Sequence, residues 1–403
     1  MADNLSTSGA RPDSVTFSKI YEDLPHIRLA TTGDNEAILA LLRETAMAAG
    51  SMRVRYERAP DFFRFVACQG NPYTVFVTQR DDGHLVGVSV ESTRPGWVNG
   101  RQVPVGYLSD LRVSPLAARP LRVEWRRAYE IFLETAHRNS DTGYCEYFFT
   151  AVLKENVAAV QALARGKSAM DYVPLREYRA VQILASRLFA APACLMRMRL
   201  PAGFHLEWLD VSQDDQLGDL LSRANVNRNF GYCFPEELAF RRRQWPGFAS
   251  SRFLVARNNA GRIVASVAPW GASEVRRLVA DKLPGGLQAV MRVLRAAGIK
   301  AVVEGEEIKV CYLTHLEFEP DMAIEQKGRI FRSMICELFA RGVLSPFHLA
   351  SFADDPLAPL RPYLSGFFTQ ETAGIIYQVL HKADGASRRL NPAQPVAVEI
   401  GTL

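Results

Sequence analysis

The 403 residues are 48% hydrophobic and 23% charged, which excludes a disordered or fibrous chain and leaves room for two or three domains. The net charge of +5 comes from 48 basic residues, eight of them lysine, spread without the Lys/Arg block that marks a nucleic-acid surface. Six cysteines (Cys68, Cys145, Cys194, Cys233, Cys311, Cys336) form no CxxC pair, and seven histidines show no HExxH or HxxxH spacing, so neither a disulfide framework nor a metal site is expected.

In chain order, residues 1–19 are polar and lack the apolar segment of a signal peptide. The greasiest stretch, Leu184 to Met196, is broken by Ser186, Arg187 and Pro192 and is too short to cross a bilayer. A cytoplasmic protein with no membrane partner is expected. Ile27–Arg28–Leu29 leads into a helix with Ile38, Leu41 and Leu42 on one face. Residues 75–90 read as a hairpin, two apolar runs around Asp81–Asp82–Gly83. Residues 106–115, GYLSDLRVSP, predict a strand ended by Pro115. A loop, a helix over Val123 to His137, a strand over Tyr147 to Val152, a short helix opened by Asn156 and a strand over Tyr178 to Leu184 complete the first half.

The pattern then repeats. After a connector at 186–201 with Pro192 and Pro201, Phe204–His205–Leu206 leads into a helix bearing Leu217, Leu220 and Leu221. Residues 253–268 form a second hairpin around Asn259–Ala260–Gly261, and residues 311–320, CYLTHLEFEP, a second strand. Tyr107, Leu108, Leu111 and Pro115 match Tyr312, Leu313, Leu316 and Pro320 in register. Gly83 and Gly261 are 178 positions apart but Tyr107 and Tyr312 are 205 apart, so the second copy carries 27 extra residues. These fall near 273–298, where Val275, Leu278, Val279, Val290, Val293 and Leu294 predict a helical insertion. The expected fold class is α/β: two tandem domains, 20–185 and 200–382, each a mixed, mostly antiparallel sheet flanked by helices, with 383–403 as an appended tail.

The strand ending Leu111–Arg112–Val113–Ser114–Pro115, the loop and helix after it, and Asn156-Val-Ala-Ala159 after the next strand resemble the GCN5-related N-acetyltransferase superfamily, present in tandem. The resemblance implies an N-acyltransferase that uses acetyl-CoA or a longer acyl-CoA and a small-molecule amine or peptide acceptor, by direct attack, as a monomer or homodimer. In that family the strand ends V-x-P and an R-G-x-G loop cradles the cofactor pyrophosphate with unpaired N–H groups at a helix start. The strand before the loop splays from its neighbour through a bulge whose backbone N–H polarises the thioester carbonyl. Here the loop Leu116-Ala117-Ala118-Arg119-Pro120-Leu121-Arg122 has no glycine. The implied cofactor contacts are Leu111, Arg112, Val113, Ala118, Arg119, Leu121, Arg122 and Asn156, with the guanidinium forks of Arg119 and Arg122 standing in for the missing N–H donors. In the second copy Lys327–Gly328 lies farther from Pro320, and Asp354–Asp355–Pro356 stands where Asn156 does, so the first half is expected to bind the donor.

Asp110 is the candidate base for an attacking ammonium. Tyr107 is the second catalytic candidate, set against ordinary strand packing. His315 holds the place of Asp110 in the second half. Arg126–Arg127 and Arg241–Arg242–Arg243 are expected on solvated helix faces. Two alternatives remain: a non-catalytic binding module of this fold, and a transferase fed by aminoacyl-tRNA.

Overall fold

The computed structural model describes residues 22–403 apart from 46, 50–51, 139–144, 165–168, 196–199, 210–213, 249–251 and 297–299; residues 1–21, with the polar start, lie outside it. The first half contains β1 (Ile27–Leu29), α1 (Asn35–Glu44), β2 (Met47–Ala49), β3 (Met52–Glu57), α2 (Phe62–Gln69), β4 (Tyr73–Gln79), β5 (Leu85–Val98), β6 (Arg101–Val113), α3 (Arg119–Arg138), β7 (Tyr147–Leu153), α4 (Val157–Ala164) and β8 (Met170–Leu184). Helix α5 (Arg187–Leu195) follows. The second half contains β9 (Phe204–Trp208), α6 (Asp214–Asn225), β10 (Gly231–Tyr232), α7 (Glu236–Gln244), β11 (Leu254–Asn258), β12 (Ile263–Gly271), β13 (Arg277–Lys282), α8 (Gly285–Ala296), β14 (Glu307–Ile308), β15 (Val310–Phe318), α9 (Ile324–Ala340), β16 (Leu349–Asp354) and β17 (Thr369–His381).

Local chemistry accounts for these elements. Ile38, Leu41 and Leu42 are buried on α1, as their spacing requires. Asp61 caps α2 by accepting from the Phe63 N–H. Gly83 turns the β4–β5 hairpin at φ +84°, a left-handed conformation that glycine adopts without strain.

A mixed sheet runs β1-β4-β5-β6-β7-β17-β8-β16-β15-β12-β11-β9, with β10 attached to β5. Read inward from either edge the order is alike: an edge strand, an antiparallel hairpin and its neighbour, then a parallel pair, β6/β7 on one side and β15/β16 on the other. At the centre β8 and β17 pair over their whole length, from Ile183 against Thr369 to Met170 against His381. Each half therefore sends its last strand across, β17 beside β7 and β8 beside β16. A second sheet, β14-β13-β3-β2, also draws strands from both halves. The largest core cluster lies between the sheet and α9, with Ile330, Phe331, Met334, Ile335 and Leu338 fully buried.

Two expectations are corrected here, the helical insertion and the appended tail. Among the described residues near 273–298, α8 alone is helical; Arg277–Lys282 is strand β13, with Leu278 opposite Tyr56 of β3. Three apolar residues within five positions fit a short strand as well as a helical turn. The connector at 186–201 contains α5, which buries Ala190 and Ala193. The tail at 383–403 is not appended: Ala397 is bonded to Asn229, and Glu399 and Thr402 are buried.

Candidate functional site

Strands β5 and β6 lose register between Val88/Arg112 and Val90/Ser109, so Asp110 and Leu111 together oppose Ser89 in a β-bulge. Asp110 takes φ +52° there. The same defect recurs in the second half, where Ser266 faces Glu317, Ala268 faces Thr314, and His315 takes φ +50°. Beside each bulge the parallel partner peels away. Strand β6 pairs with β7 only through Val105, Gly106 and Tyr107, and β15 with β16 only through Val310, Cys311 and Tyr312. Gly106 permits the close part of this contact, since a Cβ there would stand 2.5 Å from the Phe148 ring. Beyond Tyr107, Thr150 Oγ1 donates to the Leu108 carbonyl at 2.8 Å, and then the strands part.

The first splay is open. Leu111, Leu116, Val123 and Val157, from β6, the following loop, α3 and α4, are each more than half exposed. Helix α3 begins at Arg119, with Pro120 in the first turn, where its missing N–H is harmless. The first N–H groups of a helix have no partner inside the helix itself, and here the Arg122 N–H bonds the Ala118 carbonyl at 3.2 Å. Arg119 and Ala118 are exposed at this terminus, whereas Leu121 is buried against Val86 and Ala117. Arg122 is engaged with the loop itself: Nε donates to the Ala117 carbonyl at 3.0 Å and Nη2 to the Pro115 carbonyl at 3.3 Å. Asn156 Oδ1 accepts from the Ala159 N–H at 3.2 Å, capping α4. Val113 packs beside Leu121.

At the second splay the segment after β16 packs against α9, while Ile324 at the start of α9 and Leu357 after β16 are exposed. Leu360, Leu364 and Phe367, from the segment after β16, are buried in the α9 core. A Cβ on Gly328 would stand 2.1 Å from the Tyr363 ring, which covers the first turns of α9. Asp354 holds the segment by accepting from the Leu360 and Arg361 N–H groups at 2.7 and 3.2 Å. Arg332 donates to the Tyr363 and Ser365 carbonyls, both at 2.8 Å.

The two bulges meet across a buried polar interior. Asp110 receives a two-pronged ion pair from Arg58, at 2.5 and 2.8 Å, with both side chains under a tenth exposed. Its carboxylate is therefore engaged by Arg58. The Phe65 ring lies 4.4 Å from the Arg58 guanidinium and 4.3 Å from that of Arg276. Arg276 donates to the carbonyls of Gly401 and Leu403 and bonds the Tyr312 hydroxyl. Gln69 joins Thr402 to Ser109, one residue from Asp110. Tyr107 is buried, stacked on Phe149 at 5.0 Å, and burial drives its hydroxyl far above the usual range. Its ring belongs to a buried cluster with Val105, Phe149 and Tyr178.

His315 is locked differently. Its Nε2 accepts from Arg241 Nη1 at 3.0 Å, so Nδ1 carries the proton and donates to Thr314 Oγ1 at 3.0 Å. Burial first, and the Arg241 charge second, hold its pKa well below the ordinary 6.5. Arg241, expected on a solvated face, is fully buried and pairs with Glu237 at 2.6 Å and Glu399 at 3.1 Å. Burial raises Glu399 against the pull of Arg241. Arg126 and Arg127 are exposed, as expected. Sequence reading missed Arg58, Arg276 and Glu399. The alternation in Met52–Glu57, with Val54 and Tyr56 between charged neighbours, was the available sign of a strand at the interior.

Among the described residues no group of three or more His, Cys, Asp or Glu stands together as a metal site, and no helix is long and apolar enough to cross a membrane.

A bulged strand, a splayed parallel pair and a helix start at the strand end define the GCN5-related N-acetyltransferase fold, and the chain has that fold over most of its length. N-myristoyltransferase of Saccharomyces cerevisiae with bound myristoyl-CoA superposes with a TM-score of 0.55 at 12% identity, covering 88% of this chain and 83% of that one. A second structure of that enzyme with myristoyl-CoA gives 0.53 at 13%, over 89% and 79% of the two chains. The GCN5-related glucosamine N-acetyltransferase region of a fungal multi-domain GH3 β-N-acetylglucosaminidase gives 0.55 at 11%, over 88% of this chain and 38% of that one. No protein-family model matches the chain, and no curated protein does.

Proposed function

We propose that the protein is an acyl-CoA-dependent N-acyltransferase in which the first of two tandem copies binds the donor between β6 and β7. The observation that carries this reading is the difference between the two helix starts: the α3 start is exposed at Ala118 and Arg119, whereas the Tyr363 ring packs on Gly328 near the α9 start and Leu360, Leu364 and Phe367 are buried beside it. The exposed face of Leu111, Leu116, Val123 and Val157 suits an acyl-pantetheine arm, and the α3 start with Arg119 suits its pyrophosphate. The yeast enzyme of like fold was solved with myristoyl-CoA, which supports a donor of this class.

In the reaction the amine nitrogen attacks the thioester carbonyl carbon. A C–N bond forms, the C–S bond breaks, and its electron pair leaves on sulfur. The nitrogen sheds one proton and the thiolate takes one up. The protein contributes alignment and backbone N–H donors at the bulge. Asp110, with two contacts to Arg58, keeps lone pairs on the cleft side and orients the incoming ammonium. The ammonium loses one proton to solvent before attack, and the second, shed as the C–N bond forms, is matched by the proton the thiolate takes up.

Thermal unfolding with CoA, acetyl-CoA and longer acyl-CoAs, paired with an assay for free CoA thiol, tests the reading. At a ligand concentration 100 times Kd the native state gains about 2.7 kcal/mol. A rise in Tm together with thiol release on adding amines is expected. A rise with no thiol release across a broad amine panel would favour the non-catalytic module, and no rise with any acyl-CoA would refute donor binding.

A further inference from the structure

Of the six cysteines, Cys68, Cys145, Cys233 and Cys311 are buried, whereas Cys194 and Cys336 are half-buried. Cys194 lies in the last turn of α5 and Cys336 in α9. Ala190 and Ala193 are the buried residues of α5, and their small side chains let the two helices approach until Cα atoms stand within 8 Å. Arg332 fixes the register, since its Nη2 donates to the Ala193 carbonyl at 2.6 Å. Cys336 is four residues beyond Arg332, on the same face of α9, and Cys194 directly follows Ala193. That spacing brings the two cysteines together, and the Cys336 thiol bonds the Cys194 sulfur. Both side chains pack against the core under α9, and the donor site uses neither.

We propose that Cys194 and Cys336 form a reversible redox site, which a peroxide converts to an intramolecular disulfide that pins α5 to α9. The site is independent of the transferase reading. Burial, and then the bond to Cys194, hold the Cys336 thiol protonated. Cys194, beside the exposed Leu195 at the helix end, therefore meets the oxidant first. Its sulfur attacks the O–O bond of hydrogen peroxide, giving a sulfenic acid and one water. The Cys336 sulfur then attacks the Cys194 sulfur. The S–S bond forms, the S–O bond breaks, and the Cys336 proton leaves with the departing oxygen as a second water. Two thiols and one hydrogen peroxide thus give one disulfide and two waters, the sulfurs losing the two electrons that the peroxide gains. The Arg332 guanidinium, one turn from Cys336, favours its thiolate in this second step. The other four thiols, being buried, are shielded from the oxidant.

Treatment of the reduced full chain with hydrogen peroxide, followed by alkylation and peptide mapping without reductant, tests this. The expected product has lost two of its six thiols, joins the peptides that carry Cys194 and Cys336, and regains both thiols with dithiothreitol. Cys336→Ser removes the resolving sulfur, so dimedone should label Cys194 about tenfold more than in the wild type. Should that variant fold poorly by circular dichroism, Cys194→Ser takes its place and should leave Cys336 a free thiol under the same treatment. The oxidised wild type should also melt at a higher Tm than the reduced chain, because a bridge between distant residues restricts the unfolded state. Six thiols intact under excess peroxide, a bridge to any of the four buried cysteines, or a disulfide-linked dimer on a non-reducing gel would overturn the proposal. So would a lower Tm on oxidation, which would mean that the bridge forms only by distorting the packed helices.

Discussion

Asp110 and His315 sit at the same point of two matching bulges, with nearly the same backbone angle, yet Asp110 pairs with Arg58 and His315 accepts from Arg241. His315 accepts from Arg241 and is deeply buried, so it stays neutral when folded and protonates readily when unfolded. Its folded pKa lies below the unfolded 6.5, so the unfolded state binds more protons as pH falls. Its share of stability is thus complete above pH 6.5 and is lost as pH falls below it, at up to about 1.4 kcal/mol per pH unit. Urea unfolding between pH 5 and 7.5 should show this acid sensitivity in the wild type and a shallower slope in His315→Gln; equal slopes would contradict the neutral assignment. Arg58 makes a complementary case. Arg58→Met leaves the Asp110 carboxylate buried and unpaired, at a cost of about 3–5 kcal/mol. Arg58→Met with Asp110→Asn should recover part of that loss, and purely additive losses would mean the pair is not coupled.

At the scale of elements, hairpins, helices and bulged strands were legible because each is specified by local spacing and turn residues. The β4–β5 and β11–β12 hairpins, α1, α6 and the Tyr107/Tyr312 alignment all stand where the pattern puts them. Strand β13 was not legible, because its partner β3 lies more than two hundred residues away and no local rule links them. The same distance hid Arg58 and Arg276 from the reading of the site. The α3 start supplies a sharper test than a joint change of its arginines. Arg119→Ala should weaken acyl-CoA binding several-fold with Tm unchanged, since Arg119 is exposed. Arg122→Ala should lower stability by about 1–3 kcal/mol, because it removes two hydrogen bonds that shape the loop. The reverse pattern in calorimetry and thermal unfolding would show that Arg122 is the phosphate ligand. At the second splay, Leu360→Ala should cost about 2–5 kcal/mol and leave donor affinity untouched.

Across the whole molecule the halves are woven together by β8 and β17, by β10 on β5, and by the small sheet, while residues 399–403 connect one bulge to the other. This exchange was invisible in the sequence, where β8 reads as the close of one unit and the tail as an appendage, because strand pairing at long range leaves no periodic signature. The last strand of the second half, β17, thus lies beside β7 of the first. Hydrogen–deuterium exchange with and without acetyl-CoA tests the central claim most directly, since it reads both splays in one sample. The account predicts slowed exchange at residues 109–122 and 150–160 on adding acetyl-CoA, with residues 316–330 unchanged. Protection centred on 316–330, or none at either splay under saturating acetyl-CoA, would contradict it.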